Sequence, residues 1–315
     1  MRGGFLKMEK DKHGSEIHGG FVGNFFESLP EGFVANALAL TTPRDVCRLS
    51  LVCSIFRSAA EWDAVWEKFL PPDYQKILAE AEDGGGSVRC GSKKEMYLRL
   101  CDHPVIIDGG NKSFSLDKKT GKKCYMLAAR DLSIIWGNTP RYWRWISVPD
   151  SRFTEVAELI SVCWLEVNGK VNTSVLSTNT KYASYLVYKS TSKAYGFDSQ
   201  PAEVSTGIHG VETEKKTVFL DPEASHRCEN NVGPGSRLGI FGRLIRLGSQ
   251  TLTSGSARLN GPKMRPDGWL EIELGEYFNE KGEEGELDMS MMEVKGGNWK
   301  GGIVIQGIEI RPKVC

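Results

Sequence analysis

Three of the eight tryptophans, Trp136, Trp143 and Trp145, fall within ten residues in the run Leu132-Ser-Ile-Ile-Trp-Gly-Asn-Thr-Pro-Arg-Tyr-Trp-Arg-Trp145. An indole is large, flat and apolar with one N–H donor, so it can lie on the apolar face of a ring-shaped partner while its edge stays wet. A Gly-Asn-Thr-Pro turn directly after Ile-Trp is a place where such rings are presented at a loop. Sugar rings have faces of the matching kind. The same residues also suit a second role, as core anchors of a β-sandwich, because large aromatics are commonly buried.

Catalytic chemistry is scarce. His13 and His18 lie in the polar opening of the chain, and His103, His209 and His226 belong to no motif. There is no phosphate-binding loop, nucleophile elbow or zinc-type Cys/His spacing. The chain is therefore read as non-catalytic, with no metal site and no cofactor.

The 40 basic residues balance the 40 acidic ones, which removes the simplest electrostatic argument for a nucleic-acid partner. Lys118-Lys119 and Lys122-Lys123 flank Thr-Gly and read as a solvated hairpin tip. No segment has the apolar length of a signal peptide or a membrane span, so no membrane partner is expected. The eight cysteines form no Cys-x-x-Cys pair, and Cys47, Cys53 and Cys163 sit in apolar runs. They read as reduced, buried thiols of a cytoplasmic and nuclear protein, and the sequons at Asn111 and Asn172 as silent.

At 315 residues there is room for about two domains. The glycine-rich, polar residues 1–24 read as a disordered tail. Residues 25–74 carry helical spacing: Phe33, Val34, Ala37 and Leu38; then a Thr42-Pro43 start followed by Val46, Leu49, Val52, Cys53 and Phe56; then Trp62, Val65, Trp66 and Phe69 up to Pro71-Pro72. Three short helices have little core of their own, so this module is expected to lean on a partner or a neighbouring element. Residues 75–104 read as a linker and a bridging helix capped at Ser92 with Glu95.

From 105 to 315 the pattern changes to short strands without intervening helices: 105–107, 162–167, 182–188, 240–247, 269–274 and 303–310. That is the signature of an all-β antiparallel sandwich. Alternation is clean in Trp269-Leu-Glu-Ile-Glu-Leu274, which places Leu, Ile and Leu on one face and Trp, Glu and Glu on the other, facing solvent or ligand. The Gly-, Ser- and Arg-rich stretch 221–266 reads mostly as long loops.

The words Leu29-Pro-Glu-Gly-Phe, Leu49-Ser-Leu-Val-Cys53, Phe56-Arg-Ser-Ala59 and Trp62-Asp-Ala-Val-Trp66 resemble, in order, the F-box. That three-helix module docks a Skp-type adaptor of cullin-based ubiquitin ligases. The resemblance implies that Leu29, Pro30, Leu51, Val52 and Trp66 lie at or just under the adaptor interface. Their apolar character agrees with a small module completed by its partner.

The second half resembles the phloem-protein-2 family, related to the tobacco lectin Nictaba, and with the F-box its plant B-type group. The matching words include Ala129-Arg-Asp-Leu-Ser-Ile-Ile-Trp136, Pro140-Arg-Tyr-Trp-Arg-Trp145, Trp164-Leu-Glu-Val167, Arg265-Pro-Asp-Gly-Trp-Leu-Glu-Ile272 and Gly307-Ile-Glu-Ile-Arg-Pro312. The resemblance implies binding of N-acetylglucosamine oligomers or N-glycan cores by Trp136, Trp143, Glu286 and Glu293, with Trp145 packed inside. The expected function is thus a substrate-receptor subunit of an SCF-type ubiquitin ligase that captures a glycan or glycoprotein. A lectin acting without ubiquitination and a receptor for a non-glycan protein are the other readings. The offset of seven sets one condition, because an unbroken strand puts Glu286 and Glu293 on opposite faces, so both line one groove only across a bulge or turn.

Overall fold

The computed structural model describes residues 29–81, 90–198, 200–221, 261–282 and 284–313. The tail 1–24, most of the glycine-rich part of the linker and the strand expected at 240–247 lie outside the described residues. No helix among the described residues is long and apolar enough to cross a membrane.

Among the described residues six helices come first: α1 Glu31–Ala39, α2 Pro43–Leu49, α3 Ser54–Ala59, α4 Asp63–Glu67, α5 Tyr74–Ala79 and α6 Lys93–Asp102. The Thr42-Pro43 start holds, with Thr42 Oγ1 accepting from the Asp45 amide at 3.2 Å. At α6, Ser92 Oγ accepts from the Glu95 amide at 3.1 Å and Glu95 Oε2 accepts from the Gly91 amide at 2.8 Å.

The helix expected to run from Thr42 to Phe56 is broken at residues 50–53. There Ser50 Oγ bonds back to the Cys47 carbonyl, and Leu51 and Val52 close tight bonds to Arg48 and Leu49. Leu51 and Val52 are both largely exposed, so no buried face holds that turn in the helix. Of the residues with helical spacing, Phe33 and Ala37 point outward, while Val34 and Leu38, with Ala35, form the buried stripe of α1.

Two antiparallel sheets follow. The larger contains β1 Val105–Ile107, β2 Lys112–Leu116, β3 Lys123–Ala128, β5 Trp143–Ile146, β6 Val156–Leu159, β8 Thr180–Tyr195, β11 Lys263–Met264, β12 Leu270–Asn279 and β14 Gly301–Pro312. Its order is β1-β2-β3-β14-β8-β12-β11, with β6 joined to β14 and β5 to β6. The smaller has the order β10-β9-β13-β7-β4, from β4 Ser133–Ile134, β7 Leu165–Asn172, β9 Ala202–Ile208, β10 Lys216–Val218 and β13 Glu286–Glu293. The chain is thus a helical module followed by a β-sandwich.

Between the sheets, Leu186 and Tyr188 of β8, Ile305, Ile308 and Ile310 of β14, Ile272 and Leu274 of β12, and Leu287, Met289 and Met291 of β13 form the core. A bulge between Ile305 and Gly307 lets β14 keep Ile305 and Ile308 on the same inner face despite their odd spacing. Glycine is required there, since a Cβ at Gly307 would sit 1.9 Å from the Leu127 carbonyl oxygen.

The outer face of the larger sheet is also covered. Trp269, Val187, Met126, Phe153 and Val304 form a second small core, with Trp269 Nε1 donating to the Asp150 carbonyl at 3.0 Å. The expected Trp-Glu-Glu face of β12 is therefore occupied within the chain. Glu309 accepts from Arg265 at 2.6 Å, Arg311 at 2.7 Å and Arg152 at 3.3 Å, and Glu271 accepts from Arg311 at 2.6 Å. Burial alone would raise the Glu309 carboxyl; the arginines, Arg265 foremost, outweigh it and hold it down to about 2.

Module and sandwich share one core. Tyr97 of α6 stacks on Trp66, with ring centroids 5.2 Å apart, and donates its hydroxyl to the Asp117 carbonyl in the β2–β3 turn at 3.1 Å. Lys123 at the start of β3 pairs with Asp73 at 2.7 Å, and its carbonyl accepts from Tyr182 near the start of β8. The helices therefore sit against the end of the sandwich where β8 begins and β14 finishes.

Candidate functional site

The opposite end gathers the exposed rings. Pairing of Ser133 with Asn168 and of Ile134 with Val167 runs Trp136 toward the start of β7, and Trp143 pairs with Leu159 at the finish of β6. Trp136 adopts φ +58°, a left-handed conformation that a bulky side chain rarely takes and that costs about 1–2 kcal/mol. Its ring is 43% exposed and rests on Tyr142, with centroids 5.2 Å apart.

Trp143 does not share that surface. It is 2% exposed, and its Nε1 donates to the Ile135 carbonyl at 3.1 Å. Trp145 follows on the same strand face, half-buried beneath the Arg130 guanidinium at 3.7 Å, and its Nε1 donates to the Gly137 carbonyl at 3.1 Å. The two indoles thus grip the peptide carbonyls on either side of Trp136. Trp143 is corrected from a stacking ring to part of the clamp that holds a strained turn, and Trp145 packs inside as expected. The direct cause is the pleat: Trp143 and Trp145 lie two residues apart on β5 and point to one inner face.

The two glutamates separate as their offset requires. β13 pairs with β7 in unbroken register from Glu286–Asn172 to Glu293–Leu165, so no bulge turns one toward the other. Glu293 is 3% exposed and forms an ion pair with Lys300, whose side chain is wholly buried. It cannot accept a hydrogen bond from a ligand at the surface.

Glu286 is exposed at the far end of β13, paired with Lys170 at 2.8 Å. Seven residues of strand, roughly 23 Å, separate it from the Trp136 end. Beside it His209 Nδ1 lies 2.6 Å from Asp288. His209, Glu286 and Asp288 have the ligand types of a cation site, but the Lys170 ammonium, also 3.5 Å from Asp288, already supplies the positive charge there.

On the helical module, Leu29 is half-buried against the core and Pro30 is exposed. Leu51 and Val52 stand in solvent, Leu51 at 77% exposure. Trp66, expected at or just under the interface, lies beneath the surface and not on it: it is buried, with Nε1 donating to the Ala60 carbonyl at 2.7 Å. Sequence reasoning missed Phe33 and Leu40, which with Ala37 line one outward stripe of α1, and Trp62, whose Nε1 donates to Glu31 at 3.1 Å. The signal was present: Phe33, Ala37 and Leu40 recur at i, i+4 and i+7, parallel to the Val34–Leu38 stripe. An α1 this apolar on two sides has more apolar surface than its own module can bury.

A helical module with an unburied apolar stripe is thus built into one core with a sandwich whose far end bears the exposed indole of Trp136. Residues 26–68 match the F-box domain, and residues 122–312 match Phloem protein 2. The chain belongs to the phloem protein 2 family, as a member that carries an F-box. F-box protein PP2-B13 of Arabidopsis thaliana is 44% identical over 286 residues, covering 90% of this chain and 98% of that protein. F-box protein PP2-B10 of the same plant is 42% identical over 289 residues, covering 91% and 94%. F-box protein PP2-B1 is 39% identical over 308 residues, covering 91% and 90%.

Proposed function

We propose that this chain is a non-catalytic substrate receptor of an SCF-type ubiquitin ligase, acting in cytoplasm and nucleus. The α1 stripe with Leu51 and Val52 docks a Skp-type adaptor. The Trp136 end of the sandwich captures a glycan or glycoprotein, with N-acetylglucosamine units as the ring that stacks on Trp136. The observation that carries the reading is the placement of two exposed apolar surfaces at opposite ends of one continuous core. Such a body holds a captured target near the transfer machinery and raises its effective concentration there. The six described cysteines, all free thiols, suit a reducing compartment, although of these six Cys124 alone is buried as expected and Cys47 is exposed.

Two measurements on the full chain test this. Leu51→Asp with Val52→Asp should abolish capture of a purified Skp-type adaptor while leaving the thermal midpoint unchanged, because both side chains are exposed. Undiminished capture would refute the docking half. On a glycan array the wild type should retain N-acetylglucosamine-bearing ligands and Trp136→Ala should not. Adaptor capture with no glycan retained would leave a receptor for a protein ligand; glycan binding without adaptor capture would leave a lectin acting alone.

A further inference from the structure

Two more indoles stand at the same end of the sandwich. Trp164 precedes β7 and Trp299 precedes β14, and they are the remaining exposed tryptophans of the described sandwich. The isolated bridge between Val162 and Lys300 brings their two segments side by side. Tyr195, at the finish of β8, pairs with Gly301 and hydrogen-bonds its hydroxyl to Ser161 at 2.6 Å. A Cβ on Gly196 would meet the Trp299 carbonyl at 2.4 Å, so that backbone is packed against the end of β8.

Trp164 Nε1 donates to Glu166 at 2.9 Å, which ties down the edge of a ring on a residue that is 43% exposed. Beneath both, the buried Lys300 ammonium pairs with Glu293 and donates to the Cys163 carbonyl at 3.2 Å, one residue from each tryptophan. A fully buried ion pair is costly unless it fixes a particular geometry, and here it fastens the two chain segments that bear the indoles. The Trp136 turn lies alongside, because the Ile135 amide donates to the Glu166 carbonyl at 3.1 Å. Trp136 and Trp164 are thus about one strand spacing plus one or two residues apart.

We infer that Trp164 and Trp299 form a second stacking subsite beside Trp136, so that the end of the sandwich takes an oligosaccharide lying across several rings. This rests on the glycan reading proposed above. The occupant follows from the surface chemistry: flat apolar faces held at intervals, separated by carboxylate and hydroxyl groups rather than merged into one greasy patch. An oligosaccharide alternates apolar ring faces with hydroxyl edges in the same way, whereas a helix or strand of a protein partner presents a continuous apolar stripe.

The test is titration of the full chain with the linear N-acetylglucosamine trimer and with the monosaccharide. The wild type should bind the trimer at least tenfold more tightly. Trp164→Ala with Trp299→Ala should remove that advantage and leave monosaccharide binding intact, while Trp136→Ala should weaken both. Replacing the same two residues by Tyr should restore most of the trimer affinity, which separates a stacking role from a folding defect. Independently, bound trimer should protect Trp164 and Trp299 of the wild type from oxidation, read by peptide mass mapping. Unchanged trimer affinity in the double Ala variant, or no protection at saturating trimer, would overturn the subsite and leave the Trp136 reading standing. A wild type that binds neither sugar would overturn the glycan reading, and this subsite with it.

Discussion

Replacing Trp143 by Phe removes one atom that matters, the indole N–H, while keeping a large ring beneath the turn. The Ile135 carbonyl then loses the donor that reaches it at 3.1 Å. Orphaning a partly buried acceptor costs about 1–2 kcal/mol, and the missing part of the ring adds roughly 1 kcal/mol of lost burial. The clamp opposes the cost of holding Trp136 at φ +58°, which is about 1–2 kcal/mol. The two magnitudes are close, so a turn gripped only by Trp145 should relax and carry the Trp136 ring off Tyr142. Thermal denaturation should show the midpoint lowered by roughly 4–12 °C for a domain of this size. Titration with the sugar trimer should show affinity falling at least tenfold, although Trp143 never touches ligand.

The strain itself has a separate signature. Glycine occupies the left-handed region freely, so Trp136→Gly should be more stable than Trp136→Ala by about 1 kcal/mol, the reverse of the usual order. A Trp143→Phe protein with wild-type midpoint and affinity would refute the clamp. An alanine variant at least as stable as the glycine variant would refute the strain.

Three other outcomes follow from the geometry. Lys300→Met alone should cost about 3–5 kcal/mol in chemical denaturation because it leaves the Glu293 carboxylate buried without its partner, whereas adding Glu293→Leu should recover most of the loss; no recovery would mean the pair contributes more than mutual neutralisation. The Glu309 carboxyl lies below its ordinary value of 4.5, so its contribution, roughly 3 kcal/mol, should be complete above about pH 4.5 and lost as pH falls toward 2, and Glu309→Gln should flatten stability across that interval. An unaltered pH slope in that variant would assign acid lability elsewhere. Trp66→Ala should destabilise the chain by about 3–5 kcal/mol, while Phe33→Ser and Leu40→Ser should leave its midpoint nearly unchanged yet weaken adaptor capture; the opposite pattern would exchange core and docking face.

Legibility in the sequence tracked whether a residue's environment is set by its own strand or helix. The Leu270-Ile272-Leu274 face of β12 and the Ser92 cap of α6 were readable because alternation and capping are local. The opposite fates of Glu286 and Glu293 were also readable, since only the parity of an unbroken strand was needed. Trp136 and Trp143 were not separable, because which of them is buried depends on a left-handed residue at 136 that no propensity demands of tryptophan. Trp164 and Trp299 were out of reach for another reason: the bridge that brings their segments together joins residues 138 positions apart, Val162 and Lys300. The second apolar stripe of Phe33, Ala37 and Leu40 was legible by its spacing, but which of the two stripes is buried is decided only by the packing.

The shared core of module and sandwich fixes more than stability. Trp66, Tyr97, Tyr182 and Ile308 belong to one packed cluster, with no hinge among the described residues at the junction. The twelve residues of β14, paired with β8 over nearly their whole length, span about 40 Å from the helical end to the indole end. Whatever grips α1 is therefore held at a set offset and angle from whatever lies on Trp136, as if by a strut. Under the proposed function, the reach of an enzyme recruited at one end is decided by the dimensions of the cargo at the other: side chains projecting back along the strut come within range, and those beyond the far end do not. Selection among sites on a captured target would follow from length and orientation alone, with no contact to the sites themselves.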